Sequence, residues 1–156
     1  MNIMSHGNQQ TIALLLESYG MELETVLNYL ANSVNLDGVR AEEIKKSLGA
    51  DVPGEIAHAQ QLAGRIKQLG GHIPGSKTLA AMLGGQIQPV ADTTDVVGVI
   101  KSVIAAEEAA CAQYKKIIKA VEGEDYVTQD LCIRLLADEE EHLVQFKGFL
   151  KEYAAG

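Results

Sequence analysis

The chain has 156 residues, of which 47% are apolar, and carries a net charge of −8, with five Tyr, two Phe and no Trp. That length fits one domain with a real core. The acidic balance argues against a broad basic surface for nucleic acid and favours attraction of cations. Two cysteines, Cys111 and Cys132, make neither a disulfide framework nor a zinc-finger spacing. No secretory signal and no apolar run of membrane-spanning length is read, so a cytoplasmic protein is expected, with no membrane partner.

Taken in order, residues 1–10 read as a polar tail, and residues 11–153 as a single helical domain. A first helix is predicted over residues 11–34. Ile12, Leu15, Tyr19, Glu22, Val26 and Tyr29 recur there at steps of three and four. After the loop chemistry of Asn35-Leu36-Asp37-Gly38, a second pattern covers residues 39–69. Its inward line is Ile44, Leu48, Glu55, His58, Leu62, Ile66 and Leu69. Pro53 interrupts this line, which predicts either a kinked helix or two segments meeting near residues 50–53. Gly70-Gly71 should end the helix.

Residues 70–92 form a long Gly- and Pro-containing connection, with a short helix expected over 76–83. It is too long for a tight hairpin, so it should cross the bundle. A third helix over residues 94–121 carries Val96, Ile100, Val103, Glu107, Cys111, Tyr114, Ile118 and Val121 on its stripe. Asp125 is the expected N-cap of a fourth helix running to about residue 153. Its stripe is Cys132, Leu135, Glu139, His142, Phe146, Phe149 and Tyr153. The fold class is therefore all-α, an antiparallel four-helix bundle with a long crossover between the second and third helices.

The informative feature is where the acids fall. Glu22, Glu55, Glu107 and Glu139 lie in line with core residues, whereas Glu24, Glu108, Glu140 and Glu141 lie off it. Glu55 and His58 are three residues apart, as are Glu139 and His142, so each pair shares a helix face. Four buried carboxylates repel one another and are costly to bury unless cations compensate. Carboxylates suit hard cations, and neutral imidazole adds affinity for Fe, Mn or Zn. The six side chains fit a cage for two ions, one Glu-x-x-His pair to each. Tyr29 and Tyr114 lie two turns from Glu22 and Glu107, where they can hydrogen-bond a ligand or pass electrons, with core packing the main expectation.

This arrangement resembles the ferritin-like superfamily, most closely bacterioferritins and related Dps-like proteins. The resemblance is carried by Asp125-Tyr126-Val127-Thr128-Gln129-Asp130 and by Leu135-Leu136-Ala137-Asp138-Glu139-Glu140-Glu141-His142. The spacing from Glu22 to Tyr29 and the 33-residue separation of Glu22 from Glu55 agree with it. It implies that Glu22, Glu55, His58, Glu107, Glu139 and His142 ligate two Fe ions per subunit, with Glu55 and Glu139 as bridges. Mn or Zn can take iron's place in a purified sample. Asp138 would orient a ligand histidine. Bacterioferritin's haem-binding Met is replaced by Ile56, so no haem is expected. Little room for a fifth helix remains after His142, which favours a 12-subunit shell over 24.

Cys111, one turn after Glu107, and Cys132, two turns before Glu139, are similar to the cysteine pair of thioferritins, which implies possible redox thiols. Small buried apolar roles are the alternative for both. The implied activity is a ferroxidase that oxidises Fe(II) with O2 or H2O2, for iron storage and protection from oxidative stress. The alternatives are a rubrerythrin-like peroxidase or oxidase without mineral, and a non-enzymatic helical protein with structural metals. DNA binding is not expected, since Met1–Gln10 holds no Lys or Arg.

Overall fold

A computed structural model describes residues 6–83 and 89–155. Helix α1 spans His6–Asn35, α2 Glu42–Gln68, α3 Ser76–Met82, α4 Val96–Ala120 and α5 Tyr126–Tyr153, with a 3-10 turn at Val39–Ala41. There is no strand among the described residues. The four long helices form an antiparallel bundle, in which α1 packs along α2, α4 along α5, and α1 faces α4. The crossover between α2 and α4 contains α3, which touches α1. Residues 84–88 of that crossover lie outside the described residues.

The first helix begins at His6, five residues earlier than the periodicity indicated. Once a helix is nucleated, adding a residue costs little, so Asn8, Gln9 and Gln10 continue it despite their polarity. Residues 1–5 of the expected tail are outside the described residues.

Helix ends follow local chemistry. At the end of α2 the Gly70 N–H donates to the Lys67 carbonyl and the Gly71 N–H to the Ile66 carbonyl, a Schellman pair. Gly70 has φ +91°, which a side chain would resist. Gly71 is tight for another reason: a Cβ there would come within 2.7 Å of Ile66. Asp95 caps α4 by accepting from the Gly98 N–H at 2.8 Å. Asp125 caps α5 through the Thr128 N–H at 3.0 Å and also accepts from Arg65 of α2 at 2.8 Å.

Helix α2 runs unbroken through Pro53, so of the two expected outcomes, a kinked helix or two segments, the division into segments does not occur. A proline inside a helix removes one backbone hydrogen bond and costs about 3 kcal/mol. Ile44 and Leu48 on one side, and Leu62 and Ile66 on the other, are fully buried and anchor the helix in the core on both sides of the proline.

The core has two apolar clusters. One gathers Ile12, Leu15, Leu62, Ile66, Tyr114, Ile117, Leu131, Cys132 and Leu135. The other gathers Tyr29, Leu36, Ile44, Leu48, Ile100, Val103 and Phe146. On every long helix the acidic stretch falls between the residues given to these clusters. The bundle therefore encloses a polar layer between two greasy ones. On α4 the buried stripe continues through Ile117, with Ile118 half-buried.

Candidate metal centre

Each long helix contributes to this layer at its middle. α1 supplies Glu22, α2 Glu55 and His58, α4 Glu107, and α5 Glu139 and His142. The four glutamates are 1% to 3% exposed. Their off-stripe neighbours differ: Glu108, Glu140 and Glu141 are exposed and Glu24 is half-buried. All six predicted residues meet in one cluster.

The cluster divides into two overlapping groups. Glu22, Glu55, His58 and Glu139 offer ligand atoms that all lie within 4.8 Å of one another, and so do Glu55, Glu107, Glu139 and His142. Glu55 and Glu139 belong to both. His58 Nδ1 lies 3.0 Å from Glu139, 3.5 Å from Glu55 and 3.6 Å from Glu22. His142 Nδ1 lies 3.1 Å from Glu55, 3.4 Å from Glu139 and 3.8 Å from Glu107. The two imidazoles are 6.5 Å apart, centre to centre. Exchanging α1 with α4 and α2 with α5 maps one group onto the other.

The tyrosines do more than pack. Tyr114 of α4 donates its hydroxyl to Glu22 of α1, and Tyr29 of α1 donates to Glu107 of α4. Each glutamate that belongs to one group is thus held by a phenol from the facing helix. Asp138 accepts from the far nitrogen of His58, Nε2, at 3.1 Å.

The electrostatics show what a buried cage of this charge requires. Burial holds Glu22 protonated well above the ordinary range, with the charges of Glu139 and Glu55 adding to the effect. Burial and the same two charges push Glu107 up to about 10. The shared acids behave oppositely. Burial also acts to raise Glu139, but the adjacent imidazoles of His142 and His58 outweigh it and bring it down to about 2. Glu55 is lowered by the same two imidazoles against the same burial. The close carboxylates of Glu139 and Glu55, at 3.4 and 3.1 Å, push His142 up to about 11. His58 is raised as well, its carboxylate contacts overcoming its burial. Without other cations, two imidazolium ions therefore balance two carboxylates, and Glu22 and Glu107 keep their protons.

That balance leaves bonding capacity unused. Glu55 Oε1, Glu139 Oε2 and His142 Nδ1 are shielded from solvent with no hydrogen-bond partner. The 3.1 Å approach of His142 to Glu55 is a close polar contact without hydrogen-bond geometry. Orphaned donors and acceptors of this kind are rare in native cores. All three are atoms that a metal ion would engage, and oxygen with imidazole nitrogen is the donor set for Fe, Mn or Zn. The residues fit a pair of divalent ions.

A cavity of about 680 Å³ follows the α1–α4 seam, and Glu22, Glu55, Glu107 and Glu139 form part of its wall. Sequence reasoning did not find it, because a seam depends on how two helices face each other. It also missed Arg65, whose guanidinium ties α2 to the start of α5 through Asp125 and Thr128. The thiols are both buried and free. Burial pushes Cys111 up to about 11 and Cys132 up to about 12, so both stay protonated near neutral pH. Ile56, where a haem-binding Met was sought, is 40% exposed on α2.

Comparison with known proteins agrees with this architecture. Residues 12–155 match the family model for the ferritin-like domain, and the chain belongs to that family. Among solved structures it is similar to a dodecameric thioferritin, the bacterioferritin-related protein of Bacteroides fragilis. The two share 22% identity and a TM-score of 0.87 over 95% of this chain and 88% of that one. It is also similar to the Desulfovibrio desulfuricans bacterioferritin, which has a diiron site. That match has 22% identity and a TM-score of 0.82, over 99% and 86% of the two chains. A Dps protein from Vibrio cholerae O1 matches at 17% identity and a TM-score of 0.83, over 92% and 91%. These likenesses establish the fold. Among curated proteins no sequence matches the chain.

Proposed function

We propose that the protein is a di-iron ferroxidase: it takes Fe(II), oxidises it with O2 or H2O2, and keeps the product in a hollow homo-oligomeric shell. The observation that carries this reading is the pair of overlapping ligand groups that share Glu55 and Glu139. Glu22 and His58 would complete one metal position, and Glu107 and His142 the other. Bound iron supplies the redox chemistry, as metals do generally in two-metal sites.

The chain's own part is to hold and compensate. Glu55 and Glu139, already ionised, offer oxygen to both positions. Tyr29 and Tyr114 steer Glu107 and Glu22. Asp138 fixes the ring of His58 so that Nδ1 faces inward. The cavity along α1 and α4 gives Fe(II) and a small oxidant a route to the glutamates. Twelve subunits are favoured by likeness to the dodecameric thioferritin. A cytoplasmic location is part of this reading, and the acidic charge accords with the lack of a nucleic-acid partner. No helix among the described residues is long and apolar enough to cross a membrane.

The test is anaerobic addition of Fe(II) to the metal-free protein, followed by O2 or H2O2. Wild type should oxidise iron much faster than E139A, which loses a ligand from both positions. Equal rates would remove the ferroxidase reading. Rapid peroxide turnover without retained iron, in a small oligomer, would favour the rubrerythrin-like alternative.

The redox role for Cys111 and Cys132 has its own readout. Loss of two free thiols per chain after iron and peroxide would support it, and an unchanged thiol count would leave both as packing residues.

A further inference from the structure

His58 and His142 are related by the exchange of α2 with α5, but their supports are not. His58 is held at Nε2 by Asp138, the residue just before Glu139 on the opposite helix. The exchange would put the matching acid for His142 just before Glu55, and that residue is Gly54. With its Nδ1 turned to the cage, His142 presents Nε2 on the far side of its ring. An imidazole that gives its Nδ1 lone pair to a metal carries its proton on Nε2, and that donor needs an acceptor.

Asp51 stands one turn before Glu55 on α2. It lies between two ties from α2 to α5: Ser47 to Gln145 at 3.1 Å, one turn earlier, and Glu55 to His142 at 3.1 Å, one turn later. His142 is itself three residues before Gln145. Asp51 Oδ2 is shielded from solvent and has no hydrogen-bond partner. Burial raises the Asp51 carboxyl, His142 draws it back and Glu55 raises it again, so the acid senses both groups.

We propose that Asp51 is the positioning residue for His142, supplying from the preceding turn of α2 the carboxylate that Gly54 lacks. This rests on the metal reading of the cage. The role is asymmetric: Asp138 serves the position of Glu22 and His58, and Asp51 serves that of Glu107 and His142.

The test is an anaerobic Co(II) titration of metal-free protein, followed by visible absorption, with helix content checked by circular dichroism. Wild type should bind two ions per chain. D51A should keep one ion at unchanged affinity and bind the other about ten- to a hundredfold more weakly. H142A should already show that loss, and adding D51A to it should deepen it no further. G54D in the D51A background should restore the second ion. A Cβ at Gly54 meets nothing within 4 Å, so the substitution brings no clash at the backbone. A D51A titration that superimposes on wild type overturns the assignment, and so does a D51A defect that G54D leaves unrepaired. Wild type that binds no Co(II) removes the metal reading itself, and the role of Asp51 falls with it.

Discussion

At the residue scale, the four glutamates are not equivalent. Glu55 and Glu139 are ionised and contact both imidazoles, while Glu22 and Glu107 hold protons under phenolic hydroxyls. Burying a carboxylate that must stay protonated works against folding, whereas a carboxylate with a depressed pKa adds to it. In the metal-free protein near pH 7, E107Q should therefore raise the melting temperature, because Gln removes a penalty and still accepts from Tyr29. E139Q should lower it. Melting curves in chelator would show the order, and the reverse order would contradict this account of the cage. Such a trade between stability and function is common at functional sites.

The same shifts set a pH dependence. His142 is raised to about 11, so its stabilising effect is complete below its unfolded pKa and lost as pH climbs towards 11. Glu107, raised to about 10, becomes more costly over the range from its unfolded pKa up to about 10. Both act in one direction: the metal-free protein should melt progressively lower between pH 7 and 10. A divalent ion must displace protons from His58, His142, Glu22 and Glu107, so its affinity should rise over that interval. Parallel melts with and without Zn(II) would test this, with a thermal gain from metal that widens as pH increases.

At the element scale, α2 shows local preference overridden by packing. Pro53 is exposed, while Ile44, Leu48, Leu62 and Ile66 before and after it are held in the core. Replacing it should recover the lost hydrogen bond to Gly49. P53A is expected to stabilise the protein by about 1 to 3 kcal/mol. For a domain of this size that is several degrees in melting temperature. The start of α5 gives the opposite case. Asp125 caps the helix and receives the Arg65 guanidinium, so D125A should cost about 1 to 2 kcal/mol in denaturant melts.

At the scale of the whole molecule, the bundle puts one polar layer between two apolar clusters, and the shell reading extends this beyond one chain. Light scattering is expected to give twelve times the 16.7 kDa chain mass. A mass of two chains would argue against a storage shell while leaving the cage intact. The exposed Leu27, Leu30 and Val34 on α1 are apolar surface that assembly would help to cover.

The sequence by itself determined the four long helices, most of their ends and the choice of Glu22 and Glu107 over Glu24 and Glu108. Those follow from periodicity and capping, which are local: they fix a side chain's angle around its own helix axis. The sharing of Glu55 and Glu139 between two groups was implied by the family resemblance and is seen in the cage. Only the tertiary structure decided that each phenol crosses to the other helix's glutamate and that Asp51 Oδ2 is shielded without a hydrogen-bond partner. These depend on the rotation and offset of facing helices, which no pattern along one helix contains. Pro53 belongs to the same class. Its local preference is to break a helix, and the buried residues on either side of it prevented that.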